Sequence, residues 1–299
     1  MPVHLTRRRF LEGAAALGAA AAAAAGRAPA LGAAEAPAAP AASAQGRMHL
    51  GLVTYLVGAK MDLPTLIDAC EKSGMEGVEL RTTHAHGVEP TMDAAARAAV
   101  KERFAKTSVR LYALGSACEF HSPDPAVVRK NIEATRGFVQ LAADLGAWGV
   151  KVRPNGLPKE VPEDQTLRQI GAACRECGEF AKEKGIVLFV ECHGAGTARL
   201  DRMAKIMQYC DHPSVGLGWN CNDGETQDGS PRAYFDLCKP WIRHVHIQDL
   251  SEKRYPWGEL LELLKAMRYD GFTMIETTAK GDPVEFLRDQ RRLWEKLAL

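Results

Sequence analysis

Short apolar runs alternate along the chain with longer segments in which apolar residues recur every three or four positions. The short runs are typical of buried parallel strands, and the longer segments are typical of amphipathic helices. Predicted strands lie at 48–57, 77–81, 109–116, 149–154, 187–191, 215–220, 242–247 and 272–276. Predicted helices follow them at 64–74, 91–107, 125–145, 164–185, 199–209, 231–239, 257–268 and 283–297.

The number of these pairs indicates the fold. Eight strand–helix pairs within about 250 residues have the size of a closed barrel. An open doubly wound sheet usually has fewer units and a glycine-rich phosphate turn after its first strand, and neither GxGxxG nor GxxxxGK occurs here. The pattern therefore predicts an α/β fold with one domain, a (β/α)8 TIM barrel over 48–299.

The N-terminal segment, 1–47, differs in composition from the rest of the chain. A basic cluster is followed by an Ala-rich stretch and then by a Pro/Ala-rich linker. The segment resembles a twin-arginine export signal in its arginine pair and the apolar residues after it, at Thr6, Arg7, Arg8, Phe10 and Leu11. The resemblance implies a disordered or cleaved leader, the twin-arginine export machinery as a partner, and a periplasmic or otherwise exported location. Cleavage after Ala30 and cleavage after Ala44 both remain open. The Ala/Gly stretch is too short and too weakly apolar for a stable membrane anchor.

Composition and charge narrow the choice of partners. The formal net charge is +1, so the chain lacks the basic excess that nucleic-acid binding needs, and a small-molecule ligand fits better. The eight cysteines are scattered. Cys174 and Cys177 form a CxxC inside a helical pattern, without the second CxxC of a zinc site, so free thiols are expected. The oligomeric state is left open, and a homo-oligomer is compatible with the sequence.

Four polar residues each close one of the last four predicted strands: Glu191, Asn220, His246 and Glu276. They are 29, 26 and 30 residues apart, which matches one strand, one helix and two short loops. Because barrel active sites form at the carboxyl ends of the strands, the four side chains are expected to converge. Two carboxylates, one imidazole and one amide oxygen suit one divalent metal ion such as Mn²⁺, Mg²⁺, Co²⁺ or Zn²⁺.

The strings VECHG, GLGWNCND, HVHIQD and MIET at these strand ends resemble the xylose-isomerase-like TIM-barrel superfamily, which includes sugar isomerases and epimerases. The resemblance covers the whole predicted barrel and implies a metal site of Glu, Asp, His and Glu. It also implies that Glu191 and Glu276 face each other across a bound sugar and shuttle protons. Asn220 departs from the pattern, because the superfamily most often has Asp there. The amide oxygen can still ligate, and Asp223 is the alternative ligand.

Further polar residues at or near strand ends are predicted to bind oxygens of the substrate. They are His193, Arg153, Lys151, His121, Glu79, Arg81 and Asp249. Two neighbouring residues are assigned to packing instead. His244 comes early in its strand and should lie deeper in the barrel, and Trp219 alternates with Asn220 and should point away from the pocket.

The predicted function is that of a divalent-metal-dependent isomerase or epimerase that acts on a keto-sugar or cyclitol by proton abstraction next to a carbonyl. This reaction passes through an enediolate, and loss of a β-oxygen from the enediolate would instead make the enzyme a lyase, either a dehydratase or a keto-glycoside β-eliminase. A non-catalytic sugar-binding barrel is an alternative of another class. A nuclease like endonuclease IV is disfavoured, because no histidine follows His246 to complete a trinuclear zinc site.

Overall fold

The predicted strands close into a barrel in the computed structural model, which describes residues 47–298. The strands are β1 (His49–Val53), β2 (Gly77–Arg81), β3 (Arg110–Glu119), β4 (Gly149–Arg153), β5 (Val187–Glu191), β6 (Val215–Trp219), β7 (Ile242–Ile247) and β8 (Phe272–Ile275). The helices are α1 (Leu63–Ser73), α2 (Ala94–Ala105), α3 (Pro125–Leu145), α4 (Glu163–Glu183), α5 (Leu200–Cys210), α6 (Arg232–Cys238), α7 (Trp257–Ala266) and α8 (Pro283–Ala298). The strands pair in parallel and in chain order, and β1 pairs with β8 to complete the ring. The predicted (β/α)8 TIM barrel is confirmed.

The export signal and linker predicted at 1–47 lie outside the described residues, except for Arg47. All eight cysteines lie within the described part, where they are buried and unpaired, so the expectation of free thiols is confirmed. Over residues 47–298, no helix combines the length and the apolar character needed to cross a membrane.

Capping residues determine where several helices begin and end. The carboxylate of Asp62 accepts a hydrogen bond from the backbone N–H of Thr65 at 2.9 Å, and Asp93 accepts one from Ala96 at 2.8 Å. These contacts satisfy backbone donors in the first turns of α1 and α2. Helix α1 ends at Gly74, whose φ of 74° is a left-handed conformation that glycine adopts without steric cost. Such local signals explain why the predicted helix bounds lie close to the observed ones.

The first strand is shorter than predicted. β1 ends at Val53, although the apolar run after it predicted a strand up to position 57. The chain turns there, and Leu56 has a φ of 68°. Tyr55 and Leu56 are both 44% exposed, because they lie at the mouth of the barrel and not in its wall.

Aromatic rings fill the amino-terminal half of the barrel interior. Gly149 leaves room for Phe189, since an added Cβ would lie 2.3 Å from that ring. Gly77 leaves room for Phe272 in the same way, at 2.6 Å. The ring of His244 stacks on Phe189 with 4.3 Å between centroids. The prediction that His244 lies deep in the barrel is therefore confirmed.

Candidate active site

The ends of β5 to β8 bring four polar side chains together. Nδ1 of His246 lies 3.1 Å from Oδ1 of Asn220. The same nitrogen lies 3.3 Å from Oε1 of Glu191 and 3.3 Å from Oε2 of Glu276. The structure thus assembles, at one point, the four residues that the sequence predicts as metal ligands. We call them the metal cluster.

The spacing of these donor atoms fits a divalent cation. Metal–ligand bonds of about 2.0–2.2 Å place neighbouring ligand atoms about 3 Å apart when the ligands meet at roughly right angles. Donor atoms of Glu191, His246 and Glu276 all lie within 4.8 Å of one another. Carboxylate oxygens this close together and away from water require a positive partner. The set therefore fits one divalent ion, with Asn220 as the uncharged fourth ligand.

The charge state of His246 supports this fit. Burial lowers the pKa of the ring, but the charges of Glu276 and Glu79 outweigh burial and raise that pKa well above its usual value. Without a metal ion, the site therefore draws a second proton onto the imidazole. Metal binding requires a deprotonated ring nitrogen, so a cation at Nδ1 would take the place of that proton.

Lys151 on β4 contacts the metal cluster from the strand next to β5. Its Nζ lies 2.8 Å from Oε2 of Glu191, and both side chains are at most 5% exposed. Burial raises the pKa of the Glu191 carboxyl, but Lys151 and His246 outweigh burial and hold that pKa below its usual value. Burial also lowers the pKa of Lys151, yet the neighbouring carboxylates raise it overall. The pair is therefore an ammonium and a carboxylate at neutral pH.

Glu276 is less constrained than Glu191. Its Oε2 faces His246, and its side chain is 14% exposed and lines the pocket. No lysine or arginine among residues 47–298 forms an ion pair with it. One oxygen of Glu276 is therefore available to a bound molecule, whereas both oxygens of Glu191 already have neighbours.

The metal cluster forms part of a cavity of about 320 Å³ at the carboxyl ends of the strands. The cavity is lined by Tyr55, Leu56, Arg81, Lys151, Arg153, Glu191, His193, Asn220, Asn222, Gln248, Glu276 and Thr277. Most of these side chains donate or accept hydrogen bonds, and few are apolar. Such a lining suits a small molecule with many hydroxyl or carbonyl groups.

Four of the predicted substrate-binding residues line this cavity: Arg81, Lys151, Arg153 and His193. Arg153 is held by a short hydrogen bond to the carboxylate of Glu119. Burial lowers the pKa of His193, which favours its neutral ring. Arg81 donates to a backbone carbonyl oxygen at 2.8 Å and forms no ion pair within the described residues.

The structure places the other three predicted substrate-binding residues outside the lining of this cavity. Glu79 is fully buried below the metal cluster, because it comes two residues before the end of β2. Asp249 turns away from the cavity and contacts Nζ of Lys280 at 2.7 Å and Nε2 of Gln290 at 2.8 Å. His121 is not part of the cavity lining.

Two further predictions concern the end of β6 and the loop that follows it. Asp223, the alternative metal ligand, has an exposed carboxylate that lies 2.5 Å from Nη1 of Arg254, so Asn220 is the residue that faces His246. Trp219 is 1% exposed and donates its indole N–H to the hydroxyl of Tyr255 at 3.0 Å. The prediction that Trp219 packs away from the pocket is confirmed.

Five lining residues were not predicted as site residues: Tyr55, Leu56, Asn222, Gln248 and Thr277. Gln248 and Thr277 directly follow the predicted strands 242–247 and 272–276, and Asn222 follows Asn220 by two positions. A search that included the two residues after each predicted strand would have found these three. Nothing in the sequence marks Tyr55 and Leu56 as lining residues, because they belong to an apolar run with the pattern of a buried strand.

The fold is a closed barrel, and its strand ends carry carboxylate, imidazole and amide groups. These two features define a class of protein, a barrel with a candidate metal-assisted active site. The family model described as xylose isomerase-like TIM barrel matches residues 67–297. The chain belongs to this family. No curated protein matches the sequence.

Several solved structures share the fold at low sequence identity. The 3-keto-D-glucoside 4-epimerase YcjR from E. coli is 13% identical, with a TM-score of 0.71 over 84% of this chain and 100% of that one. D-psicose 3-epimerase with D-tagatose from Clostridium cellulolyticum H10 is 14% identical, with a TM-score of 0.71 over 84% of this chain and 99% of that one. The IOLI protein with a bound zinc atom is 16% identical, with a TM-score of 0.65 over 84% and 98%. At these identities, the likeness establishes the fold alone.

Proposed function

We propose that the protein is a divalent-metal-dependent isomerase or epimerase that acts on a keto-sugar or cyclitol. The observation that carries the proposal is the convergence of Glu191, Asn220, His246 and Glu276 on one point inside a polar cavity. The epimerases among the structural neighbours support the same reading, because they place sugar chemistry on this fold.

A bound divalent ion would polarise a substrate carbonyl and stabilise the negative charge that develops when the adjacent C–H loses its proton. The chain's own side chains would bind and orient the substrate. Arg153 and His193 line the cavity. Arg153 would donate hydrogen bonds to hydroxyl or carbonyl oxygens, whereas the neutral ring of His193, whose Nδ1 donates to Oδ1 of Asn155 at 2.6 Å, would accept one from a hydroxyl group. Because Arg153 is fixed by Glu119, its orientation is set before a substrate binds.

Glu276 is our candidate for the base that removes the proton. Its carboxylate has an oxygen without a partner among the described residues, and it enters the cavity from β8. Glu191 enters from β5, three strands away around the ring, and contacts the ammonium of Lys151. A proton returned by Glu191, which would first take one from the Lys151 ammonium 2.8 Å away, would invert the carbon, and the proton held by Glu276 would then pass to solvent. A proton returned by Glu276 to a neighbouring carbon would isomerise the sugar.

A lyase reaction is the second candidate, and Lys151 is the observation that favours it. Its ammonium group lines the cavity, so it is positioned to donate a hydrogen bond to an oxygen that leaves from the β-carbon. The same proton abstraction would then end in elimination. A sugar-binding barrel without catalysis has no need for an unpaired carboxylate beside the metal cluster, so we place this alternative third.

A substrate screen tests the proposal. The metal-loaded protein is incubated with free ketoses, 3-keto-glycosides and keto-cyclitols, and the products are followed by NMR. A new stereoisomer or a ketose–aldose pair would support the isomerase or epimerase, and an unsaturated product would support the lyase. Sugar binding without any product would leave the binding protein as the better account.

The exported location is a separate proposal that rests on the arginine pair at Arg7 and Arg8. Replacing both arginines by lysine should retain the protein in the cytoplasm, since the twin-arginine pathway reads that pair. Cell fractionation would show the result. Unchanged export of the double variant would contradict this proposal without bearing on the enzyme.

A further inference from the structure

A buried carboxylate lies directly beneath the metal cluster. Glu79 is 0% exposed, and its Oε2 lies 2.7 Å from Nε2 of His244 and 3.1 Å from Nε2 of His246. An ionised carboxylate only accepts hydrogen bonds, so both Nε2 atoms must carry the proton. For His246, this arrangement leaves Nδ1 to face Glu191, Asn220 and Glu276.

Stability does not account for this buried layer. Oε1 of Glu79 and Nδ1 of His244 are both buried without a hydrogen-bond partner. Buried polar atoms without partners destabilise a fold, and apolar residues of similar size usually pack a core at lower cost. The surrounding layer is made of aromatic rings, including Phe189 against His244, so apolar packing is already used at this depth.

We propose that Glu79 is a positioning residue for the metal centre, which fixes the tautomer and the orientation of His246 so that Nδ1 is presented to the ion. His244 contributes by holding the Glu79 carboxylate from below. Hydrogen bonds from a ligating imidazole to a carboxylate are known to orient the ring and to raise its basicity as a ligand. The inference rests on the proposed function in one respect only, namely that the site binds a metal ion. It adds to that function the residue that orients one of the ligands.

The same three side chains could instead hold a second ion. Donor atoms of Glu79, His244 and His246 also lie within 4.8 Å of one another. The two interpretations differ in stoichiometry: the positioning role requires one metal ion per chain, and the second site requires two. Lys151 opposes a second ion, because its buried positive charge acts on both Glu79 and His244.

The test compares Glu79, in the middle of β2, with Glu76, which directly precedes that strand. In Glu79→Gln, the amide oxygen can take the place of Oε2 and still accept from both Nε2 atoms, but the negative charge that strengthens these two hydrogen bonds is lost. Glu76→Gln is the matched control, because Glu76 also contacts a histidine, with Oε2 2.5 Å from Nδ1 of His49, at the other end of the barrel. Equilibrium dialysis of the full chain with Co²⁺ gives the affinity and the number of ions bound.

We expect Glu79→Gln to weaken Co²⁺ binding by about 10- to 100-fold and Glu76→Gln to leave it unchanged. Gly115→Ala provides a second probe that keeps the charge, since an added Cβ would lie 2.6 Å from Oε1 of Glu79 and would displace the carboxylate. It should weaken binding by a smaller factor. Circular dichroism confirms that each variant is folded, and Gly115→Ala carries the test if Glu79→Gln does not fold.

A proton NMR signal gives an independent readout. In the Zn²⁺-loaded protein, the Nε2 proton of His246 should resonate far downfield because it is bonded to a carboxylate, and this signal should move upfield in Glu79→Gln, whose neutral amide oxygen is a weaker acceptor. Unchanged Co²⁺ affinity in both Glu79→Gln and Gly115→Ala, or two bound ions per chain in the wild type, would overturn the proposal. These results do not depend on turnover, so a failure of the proposed enzyme activity would be distinguishable from them.

Discussion

The two halves of the barrel mouth are built differently. The ends of strands β5 to β8 supply the metal cluster, whose members contact one another around His246 and of which only Glu276 is partly exposed. Strands β1 to β4 and their loops supply Tyr55, Arg81, Lys151 and Arg153, which surround the cavity without converging on a point. Three of these four side chains are cationic. We call this set the substrate wall.

We infer from this difference that one half of the mouth binds the metal ion and the other half binds the substrate. A metal ion needs several donors within a few tenths of an ångström of the right places, and only side chains at consecutive strand ends are held that firmly. A sugar needs hydrogen bonds spread over its surface, which side chains on several loops can provide. Variants in the metal cluster should therefore affect metal binding and turnover, whereas variants in the substrate wall should affect substrate affinity.

Loss of His246 should have the largest effect. His246 contacts all other members of the metal cluster, so His246→Ala should weaken metal binding at least 100-fold and abolish turnover. Metal analysis after dialysis measures the first effect. Arg153→Ala serves as the control from the substrate wall and should retain the metal; equal occupancy in the two variants would remove the distinction between the halves.

Glu276→Gln should come next. The amide can still offer an oxygen to a metal ion but cannot take up a proton, so kcat should fall by about 10²- to 10⁴-fold even when excess metal restores occupancy. Single-turnover measurements at saturating metal would show this loss. A variant that regains full turnover with excess metal would mean that Glu276 serves only as a ligand.

Arg153→Ala should have a smaller and different effect. Loss of a charged hydrogen bond to the substrate costs about 1.5–3 kcal/mol, which corresponds to a KM about 10- to 100-fold higher. The kcat value and the metal affinity should change little. A main effect on kcat would instead assign Arg153 to the chemistry and contradict the proposed division.

Asn220→Asp should produce the smallest change, and in the opposite direction. The substitution adds a negative charge to the metal cluster, so metal affinity should increase, by about tenfold. It removes only a long contact from Nδ2 to the carbonyl oxygen of Cys192, at 3.5 Å. Isothermal titration with Mn²⁺ would measure the gain, and weaker binding would show that Asn220 does not face the ion.

The fold could be predicted from the sequence because each strand end carries a local signal. Apolar runs, capping aspartates and terminal glycines are short-range patterns, and they define the barrel without knowledge of packing. The metal cluster was predictable for the same reason, since Glu191, Asn220, His246 and Glu276 each lie within one residue of the end of a strand.

Residues whose roles depend on depth or on loop conformation could not be placed in this way. Glu79 looks like a strand-end residue, yet the two positions that separate it from the end of β2 place it below the cavity. Asp249 follows His246, a predicted metal ligand, by three residues, but its direction is set by Lys280 from a distant loop. Tyr55 belongs to an apolar run that predicts a strand, and only the observed turn after Val53 places it at the mouth.

The most direct test of the account is solvent exchange at a single carbon of a bound keto-sugar. The metal-loaded protein is incubated in D₂O with each sugar that it binds, and NMR locates any deuterium. Our account predicts uptake at a carbon next to the carbonyl, lost on metal removal and in Glu276→Gln, and retained in Arg153→Ala at saturating substrate. Binding of sugars without deuterium uptake in the presence of Mn²⁺, Mg²⁺, Co²⁺ or Zn²⁺ would contradict it.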